Sequence, residues 1–129
     1  MHNRILLVDD EPDIVLTLKR RLEANGYEVL TASKGSEAIE MVRRDRPDLI
    51  LLDILMPDMD GTQVSHAIRQ EPETRSIPII FLTALQTKRD ESERGQMVGN
   101  ELIFAKPFDS KKLLSQIESI FNSRPSPRT

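Results

Sequence analysis

The chain has 129 residues, enough for one domain with a buried core. Its 38% hydrophobic and 30% charged residues are ordinary for a soluble globular protein, and a net charge of −3 argues against nonspecific nucleic-acid binding. The lack of cysteine excludes a disulfide framework or thiolate metal site and points to a reducing, cytoplasmic setting; no apolar run nears the roughly 20 residues that span a bilayer, and the N-terminus has no apolar signal core.

Ile5-Leu6-Leu7-Val8 is a continuous apolar run, the pattern of a strand covered on both faces, and it ends in Asp9-Asp10-Glu11. Pro12 suits the first position of a helix, in which Ile14, Val15, Leu18 and Leu22 recur at helical spacing and Asn25-Gly26 forms the stop. Tyr27 to Thr31 alternates weakly and reads as a strand near the sheet edge. Ser36 can cap a second helix with Ala38, Ile39 and Val42 inward, ending at Arg46-Pro47. Leu49-Ile50-Leu51-Leu52 then runs into Asp53, and Pro57 and Gly61 mark a loop. A helix follows from about Thr62 to Gln70.

Pro78-Ile79-Ile80-Phe81-Leu82 is another apolar run, ending in Thr83-Ala84. Lys88 to Val98 has helical length but little amphipathicity, and Gly99 ends it. Leu102-Ile103-Phe104-Ala105 is a fifth strand, ending in Lys106-Pro107. Ser110 can cap a last helix striped with Leu113, Ile117, Ile120 and Phe121. Residues 1–122 form the expected domain, and Ser123 to Thr129, rich in Pro, Ser and Arg, reads as a disordered tail. There are no internal repeats.

Five strand–helix alternations predict a doubly wound α/β fold, a parallel sheet with helices on both faces. In such folds the functional crevice lies beyond the carboxyl ends of the strands. Asp9 and Asp10 follow the first strand, Asp53 the third, Thr83 the fourth and Lys106 the fifth, so a parallel sheet brings them to one edge. Two carboxylates about 4 Å apart repel by about 4 kcal/mol at an effective dielectric of about 20. Three of them call for a cation or a proton. Oxygen donors without His or Cys favour a hard ion such as Mg²⁺, which accepts phosphate oxygens as further ligands. Lysine and threonine add donors toward phosphoryl charge, and a carboxylate can itself be the nucleophile.

The segments Ile5 to Glu11, Leu52 to Gly61, Leu82-Thr83-Ala84 and Lys106-Pro107-Phe108 together resemble a response-regulator receiver domain of two-component phosphorelay signalling, similar to the single-domain chemotaxis regulators. The resemblance implies a flavodoxin-like, five-stranded sheet of order 2-1-3-4-5. It implies that Asp53 accepts a phosphoryl group from a sensor histidine kinase, a phosphotransfer protein or a small acyl phosphate. Asp10 would bind Mg²⁺ directly, Asp9 through water, and the Leu55 carbonyl would complete the protein ligands. Lys106 would pair with the phosphoryl group, Thr83 would move to hydrogen-bond it, Ala84 would leave it room, and Pro107 would follow a cis peptide bond. Such a domain is a phosphoacceptor with slow self-dephosphorylation rather than an enzyme. It signals to a downstream protein, contacts neither nucleic acid nor membrane directly, and in this family can dimerise on phosphorylation. It can stand alone or form part of a larger protein. The segment Lys88 to Val98, the fifth strand and the last helix would form the signalling face.

The chain departs from that family in places. The switch position, usually Tyr or Phe, is Ile103, and the aromatic has moved one place on to Phe104, which a strand points to the other face. Asn100 stands where a small residue is common. Leu55 and Leu85 are both apolar, which implies hindered hydrolysis and a long-lived phosphoryl group.

Taken singly, the motif residues have plain readings. Asp9-Asp10-Glu11 suits a helix N-terminus, Asp53 a turn, Thr83 a strand end and Lys106 a solvated lysine. Their joint occurrence at four strand ends outweighs those readings. His2, His66, Arg20-Arg21 and Arg43-Arg44 read as surface residues, and Arg124 and Arg128 are too few to suggest nucleic acid. Three rivals stand beside the receiver. Asp58-Met59-Asp60-Gly61-Thr62 matches the nucleophile motif of Mg²⁺-dependent haloacid-dehalogenase-like phosphatases, with Asp58 and Asp60 as its acids, but Pro57 and a loop separate it from the strand. A calcium loop at Met56 to Ala67 lacks the required acids at its first and last positions. A degenerate receiver acting only as a binding module is the third.

Overall fold

The computed structural model describes residues 3–56, 58–83, 96–98, 101–105 and 109–123. The elements are β1 (Arg4–Val8), α1 (Pro12–Ala24), β2 (Glu28–Ala32), α2 (Gly35–Asp45), β3 (Leu49–Asp53), α3 (Gly61–Gln70), β4 (Ile79–Thr83), β5 (Gln96–Val98), β6 (Glu101–Ala105) and α4 (Ser110–Ser123). The sheet order is β2-β1-β3-β4-β6-β5. The first five of these strands are parallel neighbours and reproduce the expected 2-1-3-4-5 order of a flavodoxin-like sheet. β5 is an addition, pairing antiparallel with β6 at the edge.

The apolar runs are continuous because helices cover both sheet faces. Ile5, Leu7, Leu49, Leu51, Ile80, Leu82 and Phe104 pack toward Leu18 and Leu22 of α1 and Leu113 and Ile117 of α4. The alternate residues Leu6, Val8, Ile50, Leu52, Ile79 and Phe81 pack toward Ala38 and Val42 of α2 and Val64 and Ile68 of α3. A strand between two such layers has no solvent face, so the polar alternation of an exposed strand disappears. Tyr27 and Phe121 close one end of the first layer, with ring centroids 5.4 Å apart. Burial, followed by the negative charge of Glu118, raises the Tyr27 phenol above its ordinary value.

Several local expectations are corrected. Residues 96–98, read as the end of a helix, are strand; the remainder of the Lys88 to Val98 segment lies outside the described residues. Their helical length was the misleading signal, since the segment never had an apolar stripe. Ser36 is not the cap of α2: Lys34 holds the N-cap position, and Ser36 is the second helical residue. Ser110 likewise begins α4 rather than capping it. Asp109 caps, its Oδ1 accepting the Lys111 N–H at 2.9 Å and the Lys112 N–H at 3.4 Å. Ser123, assigned to the tail, belongs to α4, and residues 124–129 lie outside the described set. α1 ends as expected at Asn25, with Gly26 at φ +90°. α2 ends instead in a left-handed Arg46 (φ 48°), whose N–H still bonds the Val42 carbonyl.

Phe104 is fully buried, whereas Ile103 is only half buried on the opposite layer. Truncating Phe104 to Ala is expected to cost about 3–5 kcal/mol. Ile103→Ala should cost clearly less, as read from urea midpoints of the two variants.

Candidate functional site

The parallel register sets the site. Val8 pairs with Leu52, Asp53 with Leu82, and Thr83 with Ala105. Residues one step past these positions therefore emerge along one edge of the sheet. Asp9, Asp10 and Asp53 each present an oxygen there, and these three oxygens lie within 4.8 Å of one another. Asp9 and Asp53 are buried, at 1% and 2% exposure, while Asp10 is exposed. Thr83 is also buried, at the end of the strand beside β3.

Backbone donors orient the carboxylates. The Glu11 N–H donates to Asp9 Oδ1 at 3.0 Å, turning Asp9 toward the start of α1. The Leu55 N–H donates to Asp53 Oδ1 at 3.2 Å. Leu55 itself is about half exposed, with 48% of its surface open. The donor set is oxygen only, which fits a hard divalent cation.

The loop after Asp53 is held closely. Ile54 donates its N–H to the Leu82 carbonyl at 2.9 Å, and Gly61 donates to the Ile54 carbonyl at 2.8 Å. A Cβ at Gly61 would sit 2.5 Å from the Asp53 carbonyl oxygen and 2.8 Å from Ile54 Cα, both backbone atoms that cannot yield. Glycine is needed there because the start of α3 presses against the strand end. Asp60 caps α3, accepting from the Thr62 N–H at 2.8 Å, with Gln63 closing the capping box.

Asp58 plays a part that the sequence did not reveal. Its Oδ1 accepts the Gly35 N–H at 2.9 Å, and its Oδ2 accepts the Ser36 N–H at 3.2 Å and the Ser36 hydroxyl at 3.1 Å. The partners lie more than twenty residues upstream, so no local pattern announces them. The one available clue was Lys34, which leaves α2 without a capping side chain of its own. Asp58 and Asp60, the acids of the phosphatase reading, are thus both spent on helix N-termini. Among the described residues, the acidic group that can hold a metal is Asp9, Asp10 and Asp53.

Of the other expected site residues, Lys106, Ala84 and Pro107 lie outside the described residues, as do Leu85, Asn100 and His2. His66 is exposed, as expected of a surface residue. Phe104 sits in the core layer of α1 and α4, while Ile103 packs against the opposite layer.

Residues 5–118 match the response regulator receiver domain, and the chain belongs to that family. Over 120 residues it is 41% identical to the response regulator PleD of Caulobacter vibrioides, covering 93% of this chain but 26% of PleD, so it spans about a quarter of that relative. It is 35% identical to protein PilH of Pseudomonas aeruginosa, covering 91% of this chain and 96% of PilH. The chemotaxis protein CheY4 of Vibrio cholerae superposes with a TM-score of 0.79 at 31% identity, covering 93% of this chain and 99% of CheY4. The response regulator TrrA of Thermotoga maritima, solved in complex with Mg²⁺-BeF, superposes with a TM-score of 0.75 at 36% identity, covering 92% and 98% of the two chains. Among the described residues, no helix is long and apolar enough to cross a membrane.

The backbone donors at Gly35 and Ser36, in that order of effect, hold the Asp58 carboxyl below the usual carboxylate range. A group whose folded pKa is lowered stabilises the fold above its unfolded value and loses that contribution as pH falls through the folded one. The stability gap between the parent and Asp58→Asn should therefore narrow as pH falls below the ordinary aspartate pKa of about 3.9, as measured by urea unfolding at each pH.

Proposed function

We propose that residues 1–122 act as a phosphorylation-switched receiver in which Asp53 is the phosphoacceptor. The observation that carries this reading is the convergence of Asp9, Asp10 and Asp53 oxygens within 4.8 Å at the carboxyl edge of the sheet. An Asp53 carboxylate oxygen attacks phosphorus of a phosphohistidine or a small acyl phosphate. The bond from phosphorus to the donor nitrogen or oxygen breaks, its electron pair leaves with the donor, and an acyl phosphate remains on Asp53. The donor in a cell is a sensor histidine kinase or a phosphotransfer protein.

Asp10, Asp53 and the Leu55 carbonyl would hold Mg²⁺ directly, with Asp9 reaching it through water. This division is supported by Asp9 being buried and already turned toward the Glu11 N–H, while Asp10 is exposed. Bound Mg²⁺ would neutralise carboxylate and phosphoryl charge, which otherwise opposes the addition of about −1.5 to −2 charges. Lys106 pairs with the phosphoryl oxygens, Thr83 donates its hydroxyl to one of them, and Ala84 leaves space beside it. The response is a shift between two states, limited by how differently they bind the phosphoryl group. Ile103 in place of an aromatic leaves the output to the segment 88–98, β6 and α4 as a face for a downstream protein or a second copy.

Incubation with Mg²⁺ and acetyl phosphate, followed by intact mass, tests the assignment. The parent should gain one Mg²⁺-dependent phosphoryl group, retained in Asp58→Asn at saturating Mg²⁺ and lost in Asp53→Asn. An adduct lost only in Asp58→Asn, with hydrolysis of phosphate monoesters, would return the phosphatase reading. Absence of any adduct would leave a binding module.

Leu55 and Leu85, the flanking positions of this reading, are both apolar and would hinder the hydrolytic water at the acyl phosphate. The phosphoryl half-life should therefore run to minutes. Leu55→Asn should shorten it severalfold, followed by loss of the mass adduct after donor removal; a parent half-life of seconds would count against this.

A further inference from the structure

We propose that Asp58 is a positioning residue for the receiver site, fixing the loop that carries the Leu55 carbonyl by capping α2 from a distance. The proposal rests on the receiver reading and deepens it. A helix leaves its first N–H groups without intrahelical partners, and an N-cap side chain normally satisfies them. In α2 the N-cap residue is Lys34, which makes no such bond. Asp58 supplies both oxygens instead, to the N–H groups of Gly35 and Ser36 and to the Ser36 hydroxyl. Its negative charge faces the positive end of the α2 dipole.

The neighbouring contact is equally close. A Cβ on Gly35 would lie 2.4 Å from Met59 Cγ and 2.9 Å from Val64 Cγ2, so any larger residue at the start of α2 would have to displace these side chains. Met59 and Asp58 therefore grip α2 side by side, one by packing and one by hydrogen bonds. The start of the loop is tied to β4 through the Ile54 N–H, and its end is tied back to Ile54 through the Gly61 N–H. Asp58 supplies the tie in the middle, three residues beyond Leu55.

Mg²⁺ demands near-ideal octahedral geometry, so a carbonyl ligand on a slack loop would serve it poorly. Groups that orient metal ligands typically change affinity or activity by about 10–100-fold when removed. Asp58 touches neither metal nor phosphoryl group, and its effect passes through the position of the Leu55 carbonyl.

The test is a Mg²⁺ titration of phosphoryl uptake from acetyl phosphate, with calorimetric Mg²⁺ binding, on the parent, Asp58→Ala, Asp58→Asn and Ser36→Ala. Asp58→Ala should raise the half-saturating Mg²⁺ concentration about tenfold, while the rate at saturating Mg²⁺ returns close to the parent value. Asp58→Asn, which keeps one acceptor oxygen, should fall between the two. Ser36→Ala, which keeps both backbone bonds, should stay near the parent. Unchanged Mg²⁺ dependence in Asp58→Ala and Asp58→Asn, with only a lowered unfolding midpoint, would overturn the positioning role and leave a structural cap. A parent that shows no saturable Mg²⁺ binding would overturn the receiver reading itself, a result distinct from the previous one. If Asp58→Ala does not fold, the folded Asp58→Asn decides by the same criterion.

Discussion

Everything in this molecule follows from crowding like charges at one rim of a sheet. Parallel strands all end on the same side, so the residues that follow β1 and β3 cannot avoid one another once the register is set. Three carboxylates within 4.8 Å repel strongly unless a cation or donors offset them. The protein accepts that tension because the apolar strands beneath leave no other place for these side chains. Leu6, Leu7, Val8, Leu51 and Leu52 are completely buried, and shifting a strand by one residue would turn its whole apolar set to the wrong layer. The stability of the core thus holds a group of like charges in position, one whose oxygen donors suit a hard cation.

The loop after Asp53 converts this rim into a defined site. Gly61 brings α3 against the backbone of Asp53 and Ile54, and Gly35 brings α2 against Met59. Two glycines, at the first positions of two different helices, allow contacts that any larger residue would disturb. The β3–α3 loop consequently behaves as part of the helical layer rather than as an independent surface loop. Its geometry is inherited from α2 and α3.

The parallel sheet and the acidic cluster were legible in the sequence because each rests on a short pattern with a strong physical cause, whereas the strand order came from the family resemblance alone. An apolar run such as Leu49 to Leu52 has few ways to be buried, and aspartates at its end have few places to go. Less legible were features whose partners lie far apart in the chain. Ser36 and Ser110 looked like caps because serine in front of an apolar stripe usually is one, yet the bonds are made by Asp58 and Asp109. Gln96 to Val98 could not be told from a helix end because three residues carry no period, and their pairing with β6 decided the matter. The shift of the aromatic from position 103 to 104 was readable, and its effect was too: one residue along a strand exchanges the α2–α3 layer for the α1–α4 layer.

β5 gives the sheet a boundary of a particular kind. A long open strand invites another chain to extend the sheet by backbone pairing, which is the common route to edge-to-edge aggregation. Among the described residues, the last strand on that side is three residues long and runs against its neighbour. An incoming strand would find too few free amide and carbonyl groups in a row to hold it. Growth of the sheet through β5 by backbone pairing is therefore disfavoured.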